Sequence, residues 1–127
     1  MTGFDHDRIS RTIGMSLAGP GGVGLVLRVF CGVPGVVLLP ARRGLFRSQP
    51  ERIQIGDWRY EVTADGRVSA AHLVNGIVLA EEVLAAGAVG LHIARALGQL
   101  VTSYGPTIVP NIDAALEVLE TGSGPRC

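Results

Sequence analysis

The sequence predicts an α+β fold: an antiparallel β-meander sheet with helices packed on one face. Three observations carry that prediction. Between Trp58 and Val83, two turn signals, Asp65-Gly66 and Asn75-Gly76, cut a β-prone stretch into three short runs. Asn-Gly between apolar runs is the strongest short-range hairpin signal, because both central residues of a type I′ turn need φ > 0. Downstream, Val89, Ile93, Leu97, Leu100, Val101 and Tyr104 form one helical stripe over about Ala86 to Tyr104. Upstream, Ile9, Ile13 and Leu17 recur every four residues between Asp5 and Ala18. Strands in succession with helices at the ends favour α+β over an alternating parallel sheet.

In chain order, Asp5 and Asp7 suit the start of the first helix, and Gly19-Pro20-Gly21-Gly22 ends it. Val23–Phe30 and Val36–Leu39 read as two apolar strands around Cys31-Gly32-Val33-Pro34-Gly35. Pro40 to Pro50 is a basic loop bounded by prolines. Arg52–Ile55 alternates, and the phase changes at Gly56-Asp57, which predicts a turn or bulge there.

The meander can be registered from pattern. A two-residue loop at Asp65-Gly66 would mix apolar and polar residues on both faces. A three-residue loop, Ala64-Asp65-Gly66 with Gly66 left-handed, puts Trp58, Tyr60, Val62, Val68, Ala70, His72 and Val74 on one face. Carried across Asn75-Gly76, that face continues with Ile77, Leu79, Glu81 and Val83. Gly87, Gly90 and Gly98 weaken the long helix unless another element packs closely. Gly105-Pro106 stops it, and a last helix is expected over Ile112 to Glu120 with Asn111 as N-cap. The expected organisation is a single domain over residues 1–121 and a disordered tail over 122–127.

The chain has 127 residues, 47% hydrophobic and 17% charged, with zero formal net charge. That is enough for a core of its own, and no overall field draws it to nucleic acid or an anionic membrane. All eleven basic residues are arginine. The bias points to GC-rich bacterial coding, and it has chemical force. Without lysine there is no Schiff-base chemistry, so pyridoxal phosphate is excluded, and no ordinary Walker A loop. Two cysteines, Cys31 and Cys127, are expected to be unpaired thiols in the cytoplasm. The N-terminal decapeptide has no basic region before an apolar core, unlike a signal peptide. Gly21–Leu39 has the length and basic flank of a short membrane span, but Arg28 and Pro34-Gly35 interrupt it, and two buried strands explain it better.

Gly19 to Gly24 matches G-x-G-x-x-G, but a helix precedes it and a strand is expected after it, the reverse of a dinucleotide site. In the meander register His72 faces Leu79, and Glu81 is its diagonal neighbour. A carboxylate beside an imidazole has general-base geometry, so His72 and Glu81 are the catalytic candidates, although no nucleophile accompanies them. Arg42, Arg43 and Arg47, with Arg52 nearby, could bind an anion, and Phe46 alone gives little stacking surface for single-stranded nucleic acid. The histidines and cysteines lack metal-ligand spacing, so no metal and no cofactor are expected. His92 falls on the polar side of its helix. Leu73 and Val78 oppose each other beside the Asn-Gly turn as a small apolar patch, a candidate interface.

These features lean away from an enzyme. They favour a small non-catalytic binding or adaptor domain, homodimeric or bound to a protein partner, using a sheet edge or the Leu73–Val78 patch. The alternative is a site for an apolar anionic ligand under the arginine loop, with or without His72 and Glu81 chemistry.

Overall fold

The computed structural model describes residues 5–18, 22–44, 48–49, 51–63 and 65–121. Helix α1 (His6–Leu17) starts where the acidic residues predict. The Asp5 carboxylate accepts from the Arg8 N–H at 3.1 Å, which satisfies a donor that the first turn leaves open. Ile9 and Ile13 are buried on its inner side.

The segment after α1 differs from expectation. Gly22–Val29 is a helix, α2, followed by a 3-10 turn at Phe30–Gly32, and only Val36–Leu39 is a strand, β1. An apolar run of this length satisfies either geometry. Here Gly24 and Arg28, four residues apart, share the exposed side, while Val26, Leu27 and Phe30 are buried, which is a helical period. No helix among the described residues is long and apolar enough to cross a membrane.

β1 leads into a short hairpin, β2 (Arg42–Arg43) and β3 (Ser48–Gln49), and the chain returns as β4 (Arg52–Ile55). β5 (Trp58–Val62), β6 (Val68–Val74) and β7 (Ile77–Leu84) complete the main sheet in the order β1-β4-β5-β6-β7, antiparallel throughout. The β5–β6 register agrees residue for residue with the pattern argument, from Trp58 opposite His72 to Val62 opposite Val68. Thr63 and Arg67 close the loop, and Gly66 takes φ 81°. Asn75 and Gly76 have φ 53° and 80°, as a type I′ turn requires.

Beyond that turn the register departs from expectation. Leu73 pairs with Val78, but His72 pairs with Ala80, so Leu79 is an extra, bulged residue. The bulge reverses the faces of the residues after it. Glu82 and Leu84 share the face of His72 and Ala70, whereas Glu81 and Val83 lie on the other face with Ala71 and Ser69.

Helix α3 (Ala86–Tyr104) spans the expected range and packs Ile93, Leu97 and Leu100 into the core with Ile53, Ile55 and Tyr60. A second buried side, Gly90 and Ala94, meets α1. A Cβ at Gly90 would lie 2.6 Å from the Ser10 carbonyl oxygen, so glycine is what permits the approach. After a 3-10 turn at Pro106–Ile108, helix α4 runs Val109–Thr121. Asn111 therefore lies inside α4 and is not its cap. Pro110 sits in the first turn, where a missing N–H costs nothing. Arg8 on α1 reaches Asp113 and Glu120 on α4 at 3.3 and 2.8 Å.

Candidate functional site

The most unusual element is β7. It closes one end of the sheet, and seven of its eight residues are exposed, all but Leu84. Ile77 and Leu79 are 65% and 63% accessible, and Val78 and Val83 are also exposed. Edge strands normally carry charge or Pro, or are covered. β7 has Glu81 and Glu82 at its centre and aliphatic residues on either side. The expected patch joins one buried residue and one exposed residue. Leu73 and Val78 do pair, but Leu73 is 4% exposed, so only Val78 can be touched from outside.

Around α3, four rings gather. Trp58 stacks on His72 with centroids 4.7 Å apart, and His92 meets Trp58 edge-on at 4.4 Å. The Tyr60 hydroxyl lies 2.7 Å from His92 Nδ1. The expected contact between His72 and Glu81 is absent, because the bulge sends Glu81 to the opposite face, where its carboxylate accepts from the Ser69 hydroxyl at 3.4 Å. The carboxylate on the histidine face is Glu82. It favours protonation of His92, but burial outweighs it and holds the His92 pKa below the ordinary value. Burial pushes the Tyr60 phenol well above its usual range. With His92 neutral, the Tyr60 O–H donates to Nδ1 in the Nε2–H tautomer, and neither group is poised to move a proton near neutral pH. This arrangement orients rings and satisfies a buried phenol.

The helical pattern alone puts His92 on a solvated surface, and the structure half-buries it. The α3 stripe marked by large residues is only one of its buried sides. The small residues Gly90 and Ala94 mark the second, which widens the buried arc, and His92 borders the first. The backbone of Arg42 and Arg43 forms β2, but their side chains, and Arg47 altogether, lie outside the described residues. So do Gly19 to Gly21, the first half of the glycine motif, and residues 122–127, the expected tail. Gly24, the last residue of the motif, is helical. Among the described residues no group of three His, Cys, Asp or Glu is placed to hold a metal. Cys31 is disulfide-bonded, which corrects the expectation of a free thiol there, and Cys127 lies outside the described residues.

One cavity of about 180 Å³ opens between α2 and the sheet, lined by Gly24, Leu27, Arg28, Leu38, Glu51, Arg52, Ile53 and Val62. Its wall is mostly aliphatic, and Arg28 and Glu51 form an ion pair at 2.6 Å beside it.

One family model matches residues 1–121, described as a domain of unknown function, DUF5073. The chain belongs to this family. Among its described residues this chain has a five-stranded antiparallel sheet, a small two-stranded sheet and four helices, with an exposed apolar edge at β7. No curated protein and no solved structure matches this chain.

Proposed function

We propose that this DUF5073 domain is a non-catalytic module that self-associates through β7. The observation that carries the reading is an eight-residue edge strand with Ile77, Val78, Leu79 and Val83 exposed. Such an edge offers backbone donors and acceptors together with apolar side chains, the two components of strand addition. A second copy is the occupant that its charges favour. An antiparallel pair centred on Ala80 sets Glu81 and Glu82 beside the Leu79 and Val78 positions of the other copy, with the bulge at Leu79 interrupting the ladder. No glutamate then faces a glutamate, so the ladder forms without like-charge opposition.

Light scattering across micromolar concentrations tests this. A dimer is expected, and Leu79→Lys together with Val83→Lys converts it to a monomer that melts no earlier than the parent chain diluted to its monomeric form. A monodisperse monomer for the unaltered chain overturns the reading. The Cys31 disulfide weighs against a cytoplasmic location, because such bonds persist mainly in oxidising compartments. We also propose that Arg42, Arg43 and Arg47 dock an anion, which is tested by neutralising all three and measuring phosphate or carboxylate binding.

A further inference from the structure

The cavity between α2 and the sheet is built differently from the rest of the core. Leu27 and Ile53, 6% and 1% exposed, line it together with the half-buried Leu38 and Val62. A space of about 180 Å³ is larger than the ~150 Å³ apolar cavity known to stay dry and accept benzene. The polar part of its lining is Arg28, Glu51 and Arg52, and the rest is aliphatic or glycine. Gly24 is the second observation. It occupies the first turn of an eight-residue helix, and glycine is a poorer helix former than alanine. An ideal Cβ built there meets nothing within 4 Å. Close packing therefore does not require this glycine, which borders the cavity from the exposed side of α2.

The rim is polar. Arg28 Nε and Nη2 both donate to one carboxylate oxygen of Glu51, Oε2, at 3.1 and 2.6 Å. A guanidinium prefers a carboxylate that offers two oxygens to its two parallel N–H groups. The Arg28 side chain is 60% accessible, so an incoming carboxylate can reach it from solvent.

We propose that this cavity binds a small apolar monocarboxylate, of benzoate to hexanoate size. Its hydrocarbon body fills the space in front of Gly24, and its carboxylate takes the place of Glu51 on Arg28. Glu51 then acts as an internal competitor that keeps the guanidinium paired when the site is empty. The site is remote from β7 in the sheet order and does not depend on the self-association reading.

Calorimetric titration and thermal shift of the full chain test it, with benzoate and hexanoate as probes and benzyl alcohol and hexanol as neutral counterparts. Saturable binding of at least one carboxylate at millimolar or lower concentration is expected. Gly24→Leu is expected to abolish it without lowering the melting temperature. Arg28→Gln should weaken it about tenfold or more, the equivalent of ~1.4 kcal/mol. Glu51→Gln should tighten it, because the competitor is removed. No saturable binding of either acid overturns the proposal, and so does undiminished binding in Gly24→Leu. If Gly24→Leu fails to fold, the opposite effects of Arg28→Gln and Glu51→Gln decide. Alcohols binding as tightly as the acids would refute the carboxylate assignment.

Discussion

The middle of the sheet and its β7 edge are made of similar residues and meet opposite fates. In β4, Ile53 and Ile55 are each 1% exposed, whereas in β7 Ile77 is 65% exposed. Composition does not separate the two regions, because both are rich in aliphatic and β-branched residues. Coverage does. α3 packs against β4, while seven residues of β7 stand in solvent. Apolar strand residues record burial against something, and among the described residues most of those on β7 do not find it. The comparison separates hydrophobicity that serves folding from hydrophobicity that is available for association.

The comparison can be broken most directly by matched truncations. Ile53→Ala should cost about 2–5 kcal/mol of unfolding free energy, as removal of a buried isoleucine does. Ile77→Ala should change monomer stability by less than about 0.5 kcal/mol. Equal losses in urea titrations of the two variants would mean that β7 is covered in solution even in the monomer.

A smaller effect is expected from Gly90→Val, which forces a Cβ against the Ser10 carbonyl and should cost about 1–3 kcal/mol through overpacking. The same change at Gly87, where a Cβ meets nothing within 4 Å, should not show that penalty. The contrast, read from thermal melts, sharpens the distinction between a packed α1–α3 surface and open ones.

The smallest effect is the pH response of the ring cluster. His92 is held below the ordinary imidazole pKa of 6.5 by burial, so the unfolded chain takes up this proton first as pH falls. The contribution of His92 is therefore full above about pH 6.5 and is lost as pH drops from there through the lower folded value. The urea midpoint should decline over that window in the parent chain and decline less in His92→Gln. An equal decline in both would place the pH sensitivity elsewhere. The Arg8–Glu120 pair acts at lower pH, since its hydrogen bond holds the Glu120 carboxyl below its usual range, and its support is lost only as that range is crossed.

Much of the fold is legible where glycine forces a conformation. Gly66 and the Asn75-Gly76 pair set two turns, and the Gly66 loop sets the whole β5–β6 register. The long helix is legible because its apolar stripe and its Gly105 stop agree. The β7 register is not, because Ile77 to Ala80 is uniformly apolar and tolerates a one-residue slip without exposing a mismatch. Val23–Phe30 reads as a strand and Gly22–Val29 folds as a helix for a related reason: short apolar runs carry little periodic information. Of the candidate site, the Leu73–Val78 pairing is visible, whereas the role of His92 depends on how far α3 sinks between α1 and the sheet. That depth is set by tertiary packing around Gly90, and the His92 position itself reads as an ordinary polar site.

The bulge at Leu79 has one more consequence. β6 uses seven residues where β7 uses eight, and every other residue of β7 has a partner. Inside most paired strands, gaining or losing a residue flips everything downstream. Here the surplus is already absorbed, so deleting Leu79 would leave all seven existing pairs in place. The strand can lose a residue at this position without disturbing Leu84 or the start of α3.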